Sequence, residues 1–267
     1  MSNNLPILVS TLHDPQFNLQ YIFEETNVSI KNLFQKRYIS CTQQTSTEFI
    51  QVLEKEGFQI TVSDSTHIDI YRTAIKAGID EIEKTQPTHR DTSLFYIDFD
   101  RLMHWCKNYP EELSNILSHL NEKDLTLLGR SKQAFDTHAS TQKETEIIVN
   151  EIGSKILGLS DTYDIISVCW GFTPELGKKL LTIKNSTLTG FYGTWPLFLW
   201  KWASSKDYIE TNGLEWETPD RYIIDIQKLG YKNWLKRFEN PGEWAKRVKI
   251  LHDCLDEMLN FVKFKLL

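Results

Sequence analysis

Asp98 and Asp100, in the segment Ser93-Leu-Phe-Tyr-Ile-Asp-Phe-Asp100, are the residues whose type and spacing most plainly suggest chemistry. Residues two apart on a strand point to the same side, so both carboxylates are expected to meet at one point as the chain leaves a sheet. Two hard oxygen donors suit Mg²⁺ or Mn²⁺, which prefer octahedral oxygen coordination and complete it with water and substrate phosphate. A cation held there could offset charge on a departing nucleoside diphosphate. Aspartates after a strand also cap helices, so D-x-D alone is a weak pattern.

Other groups compete for roles. A general base must reach an acceptor hydroxyl, and Asp161, Asp164, Glu215 and Glu217 are the carboxylates near expected strand ends; each also reads as a surface or capping residue. Arg130 has the planar fork that clamps a phosphate, or it forms an ion pair. His138 can bind metal or sugar, or can bond backbone. His13 and Asp14 follow the first apolar run, where Asp14-Pro15 doubles as a helix start. His104 is expected on a helix. Trp170-Gly171-Phe172, Trp195, Trp200 and Trp202 offer flat faces for sugars, although tryptophans at helical spacing are commonly core; Trp195, near Gly190 and Gly193, is the candidate pocket wall.

The elements that must position these groups alternate. Apolar runs at Leu5 to Leu12, Tyr38 to Cys41, Phe58 to Val62, Ser93 to Ile97 and Leu125 to Leu128 read as buried strands, and Tyr208 to Glu217 as a further one. Helical stretches lie between them, opened by capping boxes at Thr45-x-x-Glu48 and Thr141-x-x-Glu144 and by first-turn prolines at Pro110, Pro219 and Pro241. Strand and helix in alternation predict a mainly parallel sheet with helices on both faces, and ligands bind beyond the carboxyl ends of such strands. The 267 residues, 40% hydrophobic and 25% charged, suffice for one domain spanning 1–217 with a helical C-terminal appendage, 218–267, packed on it.

A net charge of −6 and a pI of about 5.7 argue against a general electrostatic grip on nucleic acid. Cys41, Cys106, Cys169 and Cys254 form no CxxC pair, so a zinc ribbon or disulfide framework is not expected and a reducing cytoplasm fits. There is no signal-peptide pattern at the N-terminus, and no run reaches the ~20 apolar residues of a membrane span. Phe261-Val-Lys-Phe-Lys-Leu-Leu267 mixes apolar and basic residues and is read as a packed helix or as a peripheral membrane contact.

Taken in order, these motifs resemble the GT-A class of glycosyltransferases, the nucleotide-diphospho-sugar transferases, over the first half to two thirds of the chain, in a poorly characterised bacterial branch. Ile7-Leu-Val-Ser-Thr-Leu12 resembles the first strand that leads into the nucleotide pocket, and Val62-Ser-Asp-Ser-Thr-His-Ile-Asp69 resembles the acidic segment after the third. Tyr71-Arg-Thr-Ala-Ile-Lys-Ala-Gly78 resembles the helix before the DxD strand. The resemblance implies a three-layer, Rossmann-like α/β/α fold and a metal-dependent, hexosyltransferase-like activity on a nucleotide-sugar donor, with a glycan, small-molecule or lipid-linked acceptor. It implies that Thr11 and Asp64 bind the nucleoside, Arg72 the diphosphate, Asp98 the ribose or a metal-bound water, and Asp100 the Mn or Mg ion. Arg130, His138 and Trp195 complete the expected substrate contacts, and Asp161 or Asp164 is the implied base, since an acidic segment followed by Gly-Phe borders the acceptor in the class.

Thr194 stands where a late-helix base would be sought, which keeps a sugar-nucleotide-binding protein without turnover as the alternative. Haloacid-dehalogenase-type phosphatases also carry Asp-x-Asp, but usually after their first strand and followed by Thr or Val, where this chain has Arg101. A nucleotidyltransferase normally has a glycine-rich basic loop after its first strand, and Thr11-Leu-His-Asp-Pro15 is neither.

Overall fold

The computed structural model describes residues 5–63, 67–85 and 92–266. In chain order the first part runs β1 (Ile7–Leu12), α1 (Gln20–Leu33), β2 (Lys36–Thr42), α2 (Thr47–Lys55), β3 (Gln59–Ser63), α3 (His67–Thr85), β4 (Leu94–Asp98), α4 (Phe99–Asn108) and α5 (Pro110–His119). Next come β5 (Leu125–Arg130), α6 (Lys132–Asp136), α7 (Ser140–Leu157), β6 (Trp170–Phe172), α8 (Pro174–Leu181), α9 (Phe191–Trp202) and β7 (Lys206–Thr211). The remainder is helical: α10 (Thr218–Arg221), α11 (Ile223–Leu229), α12 (Tyr231–Leu235) and α13 (Pro241–Leu266).

Among the described residues seven strands form one sheet in the order β3-β2-β1-β4-β6-β5-β7. Pairings are parallel except those of β6, which runs antiparallel to both β4 and β5. The expected α/β, mainly parallel sheet with a helical C-terminal segment is therefore the observed architecture. Strand alternation makes three layers of it. Leu8 of β1 and Phe95 and Ile97 of β4 pack under α1, α2, α4 and α5, while Ile7, Val9, Leu94 and Tyr96 pack under α3, α8 and α9. Gly78 lets α3 lie close on β1, since a Cβ there would stand 2.4 Å from Val9 Cγ1. The terminal helix α13 packs on α7 and α9 through Cys254, Met258 and Phe261.

Local signals were displaced in three places. Ser46 caps α2 by accepting from Phe49 N, whereas Thr45 donates to the Leu12 carbonyl, so the cap lies one residue later than the Thr45 box. Thr141 lies inside α7 and donates to the Phe238 carbonyl, tying down the C-terminal segment and capping nothing. The last strand stops at Thr211 and does not run on to Glu217. Asn212 and Gly213 turn there because both backbone N–H groups donate to the Glu112 carboxylate at 2.9 Å, and a Cβ on Gly213 would meet Trp105 at 1.9 Å. Prolines at Pro110, Pro219 and Pro241 open helices as expected.

Candidate functional site

Four adjacent parallel strands deliver their carboxyl ends to one cleft of about 720 Å³. Its walls are Thr11 to His13 from β1, Thr42 to Gln44 from β2, Ser63 from β3, Asp98 and Asp100 from β4 and α4, with His67, Tyr71, Tyr192, Glu217, Arg221 and Lys246 contributed by helices and loops. A smaller inner cavity of about 180 Å³ shares Asp98, Tyr192 and Glu217 with it and adds Arg101, Arg130, Glu146 and Arg247.

Asp98 is the last residue of β4 and the N-cap position of α4, yet its side chain makes no capping bond. Oδ1 instead accepts from the hydroxyls of Thr11 at 2.7 Å and Tyr96 at 2.8 Å. Tyr96 and Asp98 are two apart on one strand, so the same-side argument holds for them. It fails for Asp98 and Asp100, because the helix begins at Phe99 and Asp100 sits in its first turn. Both carboxylates still reach the cleft. Burial pushes the Asp98 carboxyl up, with the Arg101 cation pulling against it.

Asp100 accepts from the Arg101 N–H at 2.9 Å through Oδ1 and from Arg221 at 2.8 Å through Oδ2. Arg221 also donates to the His13 carbonyl. The segment bearing it is tied down on both sides: Asp220 meets His104 Nδ1 at 2.7 Å, Tyr21 donates to the Asp220 carbonyl at 2.8 Å, and Glu217 faces Arg101 at 3.4 Å. Burial alone would lower the His104 pKa, but Asp220, Glu217 and Glu215 outweigh it and raise it.

Three phenols surround Asp98. Tyr71 stacks on Tyr96 with ring centroids 5.2 Å apart, and its hydroxyl lies 3.2 Å from that of Tyr192, which also meets His67 Nε2. Burial, reinforced by the Asp98 charge, pushes all three hydroxyls up, so they remain protonated donors. Burial and neighbouring His13 lower the His67 pKa.

Of the expected site residues, Thr11, Asp98 and Asp100 meet in the cleft, and Arg130 lines the inner cavity. Asp64 lies outside the described residues. Asp164 does not reach either cavity wall: it is buried and takes Arg130 Nε at 2.6 Å, NH2 at 2.8 Å, the Arg130 backbone N–H and Asn150 Nδ2. Burial would raise its pKa, but Arg130 outweighs it and holds the carboxyl below the usual range, which is the opposite of a base poised for neutral pH. Asp161 is exposed and bonds only its neighbour Ser160 among the described residues. Arg72 turns to the Ile183 carbonyl at 2.6 Å and to Asn185, in a separate groove with Ser186 to Leu188. His138 is buried, with Nδ1 on the Ala134 carbonyl and Trp216 alongside. Trp195 is fully buried against Trp170 and Phe191, so it is a core residue, not a wall. Thr194 is buried and donates to the Gly190 carbonyl.

Sequence reasoning missed Arg221, Tyr96, Tyr192 and Lys246, and placed Arg101 at the ligand edge without giving it a role. Only Tyr96, two residues before Asp98, carried a local signal. Among the described residues no group of three His, Cys, Asp or Glu side chains is arranged around a metal position. A hard cation that keeps water and substrate oxygens needs only one or two carboxylates, and Asp98 with Asp100 fits that requirement in donor type. The cleft also has the charge for it, since Asp98, Asp100 and Glu217 outnumber Arg221 and Lys246. All four cysteines are free and buried, and no helix among the described residues is long and apolar enough to cross a membrane.

No family model and no curated protein matches this chain. Among solved structures it is similar to one described as a crystal structure of 4-diphosphocytidyl-2C-methyl-D-erythritol synthase, at 12% identity and a TM-score of 0.39, covering 85% of this chain and 99% of that one. That likeness is coarse, and the chemistry of the cleft rests on its own residues.

Proposed function

We propose that the protein is a transferase of the glycosyltransferase type, which binds a nucleoside diphosphate sugar with Mg²⁺ or Mn²⁺ in the cleft and moves the sugar to a hydroxyl acceptor. One observation carries the reading: at the carboxyl ends of β1 to β4, Asp98 is held by Thr11 and Tyr96 beside Asp100, and is not spent on capping the helix it precedes. Open parallel sheets bind nucleotides at this edge.

In this reading Thr42, Gln43, Gln44 and Ser63 face the nucleoside, and Asp98 and Asp100 face the diphosphate. A cation on those two carboxylates would supply Lewis-acid stabilisation of the leaving diphosphate. Glu217, which borders both cavities with Asp98, replaces Asp161 and Asp164 as the base. It takes the proton of the acceptor hydroxyl while the hydroxyl oxygen bonds to the anomeric carbon, and the bond from that carbon to the diphosphate breaks with its electron pair on the diphosphate. Arg101 Nε lies 3.4 Å from Glu217 Oε2 and fixes that carboxylate's position between the two cavities.

A thermal-shift screen with UDP and GDP and their sugars, with and without Mn²⁺, tests the reading, because a ligand at 100 times its Kd stabilises the fold by about 2.7 kcal/mol. A shift with one base, together with slow release of its diphosphate from the sugar and loss of that release in Asp100→Asn, is expected. No shift with any nucleotide, or shifts intact in both Asp98→Ala and Asp100→Ala, would sink the site. A shift without turnover would leave a nucleotide-binding protein.

A further inference from the structure

We propose that Arg221 is a diphosphate-binding residue that trades partners with a divalent cation: the cation takes the Asp100 carboxylate from Arg221, and the guanidinium turns to the phosphate oxygens. The inference rests on the donor-site reading above and adds a residue and a sequence of events to it.

Three observations carry it. First, Arg221 and the expected cation share one ligand atom set, since Arg221 NH2 lies 2.8 Å from Asp100 Oδ2. Two cations cannot both hold that oxygen closely, so they compete for it in the absence of an anion. Second, the arginine cannot leave. Its neighbour Asp220 is held by His104 and Tyr21, Glu217 faces Arg101, and Arg221 NH1 itself bonds the His13 carbonyl. Released from Asp100, the guanidinium remains in the cleft wall, within one side-chain rotation of any anion that bridges to a cation on Asp100. A guanidinium has five N–H donors in a planar fork matched to phosphate, more than the two acceptors that Arg221 meets among the described residues engage.

Third, the charges require it. The cleft lining carries Asp98, Asp100 and Glu217 against Arg221 and Lys246. A diphosphate brings two or more further negative charges into a part-buried space. With the Arg221 and Asp100 charges cancelling each other, little positive potential faces that anion. A divalent cation on the carboxylates both neutralises them and frees Arg221, so one binding event supplies two positive groups to the phosphates.

The arrangement predicts a change of sign that a structural ion pair does not produce. In Arg221→Ala, Mn²⁺ alone, followed by electron paramagnetic resonance of the free ion, is expected to bind about two- to fivefold more tightly, the size of a part-exposed ion pair. The same variant is expected to bind UDP or GDP at saturating Mn²⁺ about tenfold or more weakly by calorimetry, the size of a charge-assisted hydrogen bond. Arg221→Lys, which keeps the charge and loses the fork, should fall between the two, and it serves as the folding control alongside the thermal transition of each variant. Weaker Mn²⁺ binding in Arg221→Ala, or unchanged nucleotide affinity in a folded Arg221→Ala, overturns the proposal while leaving the donor site standing. Failure of the unaltered protein to bind Mn²⁺ with either nucleotide overturns both, and that result is read in a separate arm.

Discussion

Thr11 donates its hydroxyl to Asp98 Oδ1 at 2.7 Å across the seam between β1 and β4, where the two residues are register partners. The register therefore orients the carboxylate before any ligand arrives, and Tyr96 supplies the second donor from the strand itself. Thr11→Val keeps the shape and removes the donor. A hydrogen bond to a charged group contributes about 1.5–3 kcal/mol when partly desolvated, so UDP or GDP with Mn²⁺ should bind about tenfold or more weakly by calorimetry, with a thermal transition within a few degrees of the parent. Unchanged affinity would mean that Asp98 needs no such support.

Glu217→Gln separates binding from turnover. The amide keeps the size and a hydrogen bond to Arg101 but cannot take a proton, so nucleotide affinity should hold while transfer to any acceptor falls about 10²- to 10⁴-fold, the range of general-base contributions. A variant as active as the parent would remove Glu217 from the mechanism.

The first five strands, the mainly parallel pattern and the Asp98 segment were legible in the sequence because each is a local matter of apolar period and turn chemistry, whereas the short antiparallel strand Trp170–Phe172 was read only as aromatic faces. The partners of the cleft residues were not legible. Arg221 reaches Asp100 over 121 positions and Glu217 reaches Arg101 over 116, and no spacing rule spans a tertiary contact of that kind. Arg130 looked like a site residue because it ends an apolar run, and Asp164 because of the family resemblance; only the fold shows that they satisfy one another 34 positions apart. The strand expected to reach Glu217 stops at Thr211 because of a side chain, Glu112, that lies far away in sequence and close in space.

Asp164 is expected to matter for stability. Asp164→Ala would leave the buried Arg130 guanidinium with Glu146 as its remaining close carboxylate, at 2.7 Å, and breaking a buried pair from one side costs about 3–5 kcal/mol. Urea unfolding should show that loss, and the double replacement Arg130→Met with Asp164→Leu should recover part of it. If Asp164→Ala unfolds at the parent's midpoint, the cluster contributes nothing.

A pH effect follows from His138. Burial first, then the Arg130 and Arg101 charges, hold its pKa well below the usual 6.5. The unfolded chain takes up a proton near 6.5 that the folded chain refuses, so stability falls as pH drops below 6.5 and is fully present above it. The residue's share approaches about 1.4 kcal/mol per pH unit below that point. Urea midpoints between pH 7.5 and 5.5 should decline less steeply in His138→Leu than in the parent, and equal slopes would show that the imidazole protonates in place.

The cleft is assembled from both ends of the sequence, and that sets an order of events during synthesis. Chains emerge N-terminal end first at about 5–20 residues per second, so a nascent chain that has reached β6 already contains Thr11, Asp98 and Asp100 but not Glu217, Arg221 or Lys246. Asp98 and Asp100 are then without those cations, and the cationic wall is completed only when Arg221 reaches Asp100 and the His13 carbonyl and α13, bearing Lys246, packs on α7 and α9.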